Sequence, residues 1–175
     1  MLIDTHAHLD LAQFDADRAA VLARARAAGV GAVVTVGIDL ASSRRAVALA
    51  AANEGVVAAV GVHPHDASTV TADVLAELRE LSELAGVVAV GEIGLDYYRD
   101  RSPRDLQRRA FQAQLAWAAR LGKPVIIHDR DAHDDVLGIL EQCGPFPAGG
   151  VMHCFSGHYA MACRAIDLGF FLSVP

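Results

Sequence analysis

Two hydrophobic periods alternate along this 175-residue chain. Short runs of Val, Ala and Ile read as strands buried on both faces, and between them lie longer Ala-, Leu- and Arg-rich stretches whose apolar residues recur at three and four. Met1 to Asp10 opens as an apolar strand. Helix is expected over Asp15 to Ala28, stopped by Gly29, then a strand over Gly31 to Gly37. A second helix spans Leu40 to Asn53, with Ser42 or Ser43 as cap, and is followed by a strand from Val56 to Val62. Helix over Thr71 to Ala85 leads to a strand over Val87 to Glu92. Ser102 is placed to cap the longest helix, Pro103 to Leu121, with proline in its first position and Gly122 closing it. The alternation ends with a strand at Pro124 to His128, a helix at Asp131 to Gln142, a strand at Gly149 to His153, a helix at His158 to Leu168, and a seventh strand over Phe170 to Val174.

Regular β-α alternation with apolar strands predicts a parallel sheet with right-handed crossovers, either doubly wound or a (β/α) barrel. No G-x-G-x-x-G follows the first strand, so the dinucleotide-binding form lacks its main support. Polar residues able to do chemistry fall at the C-terminal ends of five strands: His6 and His8, His63 and His65, Glu92, His128, and His153. A barrel gathers those ends around one mouth, whereas an open sheet spreads them along an edge. The expectation is one TIM-type (β/α) barrel domain over residues 1–175, with no linker or internal repeat dividing it.

Composition narrows the function. With 53% hydrophobic residues the chain has ample material for a core, and a formal charge of −6 with a pI near 5.7 argues against binding nucleic acid through bulk positive charge. Bound divalent cations would supply a local positive site that the count misses. Cys143, Cys154 and Cys163 are odd in number and lack C-x-x-C spacing, which fits neither a disulfide framework nor a thiolate zinc site. No apolar run approaches the roughly 20 residues that cross a bilayer, and no basic, apolar leader opens the chain, so a soluble, unprocessed, cytoplasmic protein is expected.

The candidate chemistry rests on the strand ends. On a strand, His6 and His8 point to the same side with Cα atoms roughly 6.6 Å apart, close enough for two imidazoles to converge on one ion. Taken singly, Glu92, His128 and His153 are equally compatible with strand-end groups bonded to backbone. Taken together, four imidazoles and one carboxylate make a mixed nitrogen and oxygen cage of the kind that binds first-row divalent metals. Glu92 could bridge two ions. Two metals roughly 3.5 to 4 Å apart polarise a phosphoryl or carbonyl oxygen and generate hydroxide near neutral pH, which points to hydrolysis.

Five stretches, L-I-D-T-H-A-H-L-D at Leu2 to Asp10, G-V-H-P-H-D at Gly61 to Asp66, G-E-I-G-L-D-Y-Y at Gly91 to Tyr98, K-P-V-I-I-H-D-R-D at Lys123 to Asp131 and H-C-F-S-G at His153 to Gly157, closely resemble the TatD-type metal-dependent deoxyribonucleases of the amidohydrolase superfamily. The resemblance runs through the whole chain in order. It implies a TIM-type barrel that hydrolyses DNA phosphodiesters with a metal-activated water, typically as a 3′ to 5′ exonuclease acting on single strands or 3′ ends. By motif, His6 and His8 would hold a first divalent ion with Glu92, and Glu92 would bridge to a second held by His128 and His153. His63 and His65 would line the substrate side, with Arg130, Ser156 and Gly157 offering contacts to phosphate. Asp96, Tyr97 and Tyr98 would shape the mouth or serve to support the ligand side chains and packing, and Asp4 and Asp10 are expected to be structural. Trp117 and the phenylalanines are expected to pack rather than stack on bases. Magnesium, manganese, zinc and iron all suit this donor set.

Members of that family run to about eight strands, as this barrel requires, and carry a Glu-Thr-Asp-Ser-Pro-like motif at the end of the eighth. Here about seven strands are expected, so the barrel is incomplete and the aspartate that would join the first metal is not among these residues. Its open edges are expected to drive self-association. Two other activities stay open: an ester or amide hydrolase of the same superfamily, such as a D-aminoacyl-tRNA deacylase, and a metal-binding relative without turnover. A carbamylated-lysine bridge is excluded because the sole lysine, Lys123, precedes the fifth strand.

Overall fold

The computed structural model describes residues 1–174. Seven parallel strands, β1 (Leu2–Ala7), β2 (Val30–Val36), β3 (Val56–Val60), β4 (Val87–Asp96), β5 (Val125–Arg130), β6 (Gly150–His153) and β7 (Phe170–Leu172), form one sheet in sequence order. Six helices provide the crossovers: α1 (Arg18–Ala27), α2 (Leu40–Ala52), α3 (Ala72–Ser82), α4 (Arg104–Leu121), α5 (His133–Cys143) and α6 (Tyr159–Asp167). The sheet curls into an incomplete TIM-type barrel. Among the described residues, no helix is long and apolar enough to cross a membrane.

Strand periodicity decides which side chains enter the curl. Ala58 and Val60 on β3, and Val125 and Ile127 on β5, join the large core that includes Phe111, Leu115, Leu137 and Leu140 from the helices. Their neighbours Ala59 and Ile126 belong instead to a separate cluster with Val36 and Ala89 on the concave side. His128 has the parity of Ile126, and His153 that of Val151, which packs on the same concave cluster. Both imidazoles are thereby sent into the curl.

Glu92 reaches that side by a different device. Val90 pairs with Val125 and Ile93 with Ile127, so β4 uses one more residue than β5 over this stretch. The bulge lets Val90 and Ile93 both face the helices and turns Glu92 to the concave side between them. Two residues on, Gly94 (φ +144°) lies against β5 so closely that an added Cβ would sit 2.0 Å from the His128 carbonyl oxygen. Glycine there is what lets β4 stay paired through Asp96.

Several element ends differ from the sequence reading. β4 continues past Glu92 to Asp96 and β5 past His128 to Arg130, because the polar residues after the metal-site candidates still pair across the two strands. The first helix begins at Arg18 after a 3₁₀ turn at Ala12–Phe14. Neither Ser42 nor Ser43 caps α2: Asp39 does, its Oδ1 accepting the Ser42 N–H at 2.6 Å. The Ser42 hydroxyl donates to Asp10 at 2.6 Å, and Ser43 bonds the Gly61 backbone. Pro103 has extended backbone and precedes α4, and Ser102 Oγ donates to the His65 carbonyl at 2.8 Å and accepts the Ser68 N–H at 3.1 Å instead of capping α4. β7 ends at Leu172.

Candidate metal centre

The concave mouth holds a cavity of about 300 Å³ lined by His8, His63, Glu92, His128 and His153, with Arg130 and Ser156 at its edge. Glu92 is 4% exposed, and each of its oxygens faces a different set of imidazoles. Oε1 lies 2.8 Å from His128 Nδ1 and 3.9 Å from His63 Nε2, whereas Oε2 lies 3.3 Å from His6 Nε2 and 3.9 Å from His8 Nε2. His153 joins the second set, its ring stacked on His6 with centroids 3.5 Å apart and 11° between planes. Ligand atoms of His6, Glu92 and His153 all lie within 4.8 Å of one another, as do those of His63, Glu92 and His128.

Hydrogen bonds sort these imidazoles by role. His8 Nδ1 lies 2.8 Å from the Val36 carbonyl, to which it donates, so its Nε2 presents a lone pair toward Glu92. A backbone acceptor behind the ring is the usual support of a metal-binding histidine. His6 is near Glu92 but poorly aligned, and both its ring nitrogens are buried without a hydrogen-bond partner, which suits a cation between the groups. His128 places Nε2 3.1 Å from Asp96 Oδ2 and Nδ1 on Glu92. Burial favours neutral His128, but the two carboxylates outweigh it and raise its pKa. A cation at Nδ1 would replace that proton.

His63 behaves differently despite its proximity. Its Nδ1 accepts the His65 N–H at 3.1 Å, so the neutral ring carries its proton on Nε2, which sits 3.2 Å from His128 Nδ1 and 3.9 Å from Glu92 Oε1 and presents a donor rather than a lone pair. Burial drives its pKa down to about 3 in spite of Glu92. Burial likewise lowers His153 to about 4, with His6 adding to the effect. Glu92 is itself disfavoured as an anion by burial, yet the His128 hydrogen bond and the surrounding imidazoles hold its pKa well below the usual carboxylate range.

His65 lies one layer further out, with Nε2 2.8 Å from Asp96 Oδ2. Asp96, only 2% exposed, thus joins His65 to His128. Its pKa is lowered by the Arg99 N–H and both imidazoles, against the effect of burial. Gly157 packs against Phe155 and Met161 and is not among the residues lining the cavity, because the loop after β6 turns it toward α6. Asp10 is buried in bonds to Ser42 and Arg45, Asp4 accepts the His6 N–H, and Trp117 and Phe111 are core residues.

Two cavity residues escaped the sequence reading. Cys154 Sγ lies 3.3 Å from His153 Nε2, and Asp129 binds His133 Nδ1 at 2.8 Å while its other oxygen is buried without a partner. Their positions directly after His153 and His128 were the available signal.

Residues 3–175 match the family described as TatD related DNase. The chain belongs to that family. It is 44% identical over 173 residues to the Bacillus subtilis (strain 168) "uncharacterized metal-dependent hydrolase YabD", covering 99% of this chain and 68% of that one. It is 40% identical over 173 residues to the Klebsiella pneumoniae (strain 342) "3′-5′ ssDNA/RNA exonuclease TatD", covering 99% and 66%. The crystal structure of the TatD homologue YjjV from Escherichia coli K12 superposes with a TM-score of 0.91 at 36% identity, covering 98% of this chain and 66% of that one. A TatD-family hydrolase from Entamoeba histolytica superposes with a TM-score of 0.90 at 25% identity, covering 99% and 64%. This TatD-related chain therefore spans about two thirds of the length of these relatives.

Proposed function

We propose that this chain carries the metal-binding part of a divalent-metal-dependent phosphodiesterase, a 3′ to 5′ exonuclease of single-stranded DNA or RNA. The observation that carries this reading is the buried Glu92 carboxylate, with Oε1 on His128 and Oε2 toward His6 and His8. His6, His8 and His153 would hold one ion and His128 a second, with Glu92 between them; His153 thereby leaves the second ion, where the motif resemblance had put it, because its ring stacks on His6 and its ligand atom groups with those of His6 and Glu92. Bound ions would supply Lewis acidity toward a phosphoryl oxygen and lower the pKa of a water. The chain's own groups orient the reactants: Asp96 fixes the His128 ring, the Val36 carbonyl fixes His8, and His63 offers its Nε2–H to a substrate oxygen. The K. pneumoniae relative's name supports strand hydrolysis over deacylation.

The test is release of mononucleotides from 3′-labelled single-stranded DNA and RNA with Mg²⁺ or Mn²⁺, beside a D-aminoacyl ester in the same preparation. Chelator-sensitive release that Glu92→Ala abolishes is expected, together with loss of Mn²⁺ binding in calorimetry. Undiminished turnover in Glu92→Ala would refute the bridging assignment, and ester cleavage without nucleotide release would refute the nuclease.

A further inference from the structure

At the cavity mouth, the chain leaves β4 through two tyrosines with opposite surroundings. Tyr97 is pinned: its N–H donates to the Arg130 carbonyl at 2.9 Å, its hydroxyl donates to Asp135 at 2.6 Å, and the Arg104 guanidinium lies 4.2 Å from its ring centroid. Tyr98 is 62% exposed, and the Arg130 guanidinium lies 4.8 Å from its ring centroid. Arg104, Arg108 and Arg109 each face an aspartate, whereas the Arg130 guanidinium rests on an aromatic ring. Arg130 also lines the cavity that holds Glu92 and His128.

The two residues are held in register. Asp96 pairs with Arg130 across β4 and β5, and the Tyr97 bond extends that pairing by one residue. A largely exposed aromatic ring with a guanidinium over one face, both carried at the end of paired backbone at the opening of a cavity lined by histidines and carboxylates, matches what a single strand presents: a flat base for the ring's other face and the phosphate next to it. With a net charge of −6, a polyanion must approach through local positive groups, and Arg130 is one at this opening beside any bound cations.

We propose that Tyr98 and Arg130 form the seat for one nucleotide of a single strand entering the metal centre, the base stacking on Tyr98 and its phosphate pairing with the Arg130 guanidinium. The proposal rests on the nuclease reading above. Tyr98 then contributes a term that depends on the base being present but tolerates any base. Arg130 contributes a term that depends on salt.

The experiment is fluorescence anisotropy with a fluorescein-labelled, turnover-resistant phosphorothioate oligothymidylate in Mg²⁺, and with the same strand carrying one abasic nucleotide at each of its last three 3′ positions. One abasic position should weaken wild-type binding about 5- to 150-fold, the range of base-aromatic stacking. Tyr98→Ala should weaken the intact strand by the same factor and erase that abasic penalty, and Tyr98→Trp should keep both. Arg130→Gln should reduce the slope of log affinity against log salt by about 0.7. Tyr98→Ala that keeps full affinity and the abasic penalty would overturn the seat alone. A wild-type chain that binds no strand would overturn the nuclease reading and the seat with it.

Discussion

Gln114, fully buried on α4, is expected to hold the strand end that carries His63. Its Oε1 accepts the Val62 N–H at 2.7 Å and its Nε2 donates to the Val62 carbonyl at 3.1 Å, so one side chain satisfies both polar groups of a buried backbone unit. Gln114→Leu keeps most of the volume and removes both bonds. Each buried group left unpaired costs about 1–3 kcal/mol, so with two such groups the substitution should destabilise the chain by about 2–6 kcal/mol. Urea unfolding of the chelator-treated protein, followed by circular dichroism, measures this directly. Two turns earlier on the same helix, Gln107 accepts the Asp96 N–H at 2.8 Å and donates to the Asp96 and Ser102 carbonyls at 3.2 and 2.8 Å. Seven residues of helix separate the two by roughly 10 Å, so Gln107→Leu should add to Gln114→Leu within about 0.5 kcal/mol. A Gln114→Leu cost below about 1 kcal/mol would refute the reasoning, since it would mean that Val62 finds other partners without this side chain.

Gly94→Ala should prevent native folding or cost more than about 4 kcal/mol, because the new Cβ meets the His128 backbone and the backbone has φ +144°; a near-native urea midpoint would contradict the tight β4 and β5 contact. The depressed His63 pKa sets a pH dependence: between about 3 and 6.5 the unfolded ring takes up a proton that the folded ring does not, so metal-free stability falls as pH falls through that window. At pH 4.5 this amounts to about 2–3 kcal/mol relative to neutral pH, and His63→Asn should flatten the urea-derived stability profile by that order; an unchanged slope would argue against a buried neutral His63. At the sheet edges, Ile3 on β1 is 55% exposed and Phe171 on β7 is 79% exposed. Light scattering should show association that rises with concentration and is suppressed by Ile3→Lys with Phe171→Lys; a monodisperse wild-type monomer would overturn this.

The β-α alternation was legible because each strand is a compact apolar run and each helix carries its own period, so element types followed from local pattern. Caps and ends were less legible where a competing partner stood nearby. Ser42 and Ser43 have the chemistry of caps, but Asp39 lies three residues before Ser42 and takes its N–H, which frees the serine hydroxyls for Asp10 and Gly61. The strand-end histidines and Glu92 stand out by position, at the ends of successive apolar runs, and the structure brings them to one cavity. What position could not supply was the bulge before Ile93, which aims Glu92, or the Asp96 contacts to His65 and His128, since both depend on pairing between distant strands.

The grouping of the histidines follows from curvature. β1 and β6 are not neighbours in the sheet, whose order runs β1 to β7, yet His6 and His153 stack at 3.5 Å between ring centroids. Only a sheet curled far enough to bring its sixth strand back over its first makes that contact, so the stack is a direct readout of the curl. β4 and β5 are neighbours, and their His128 to Glu92 contact would survive in a flatter sheet. The two sides of Glu92 therefore depend on different parts of the fold: the Oε1 side on local strand pairing and the bulge, the Oε2 side on closure of the curl. Loosening the edge strands should weaken metal binding at His6, His8 and His153 before it disturbs binding at His128, were ions bound there as proposed. Sequence spacing carries no trace of this division, because His6 and His153 lie at opposite ends of the chain and meet only through the fold.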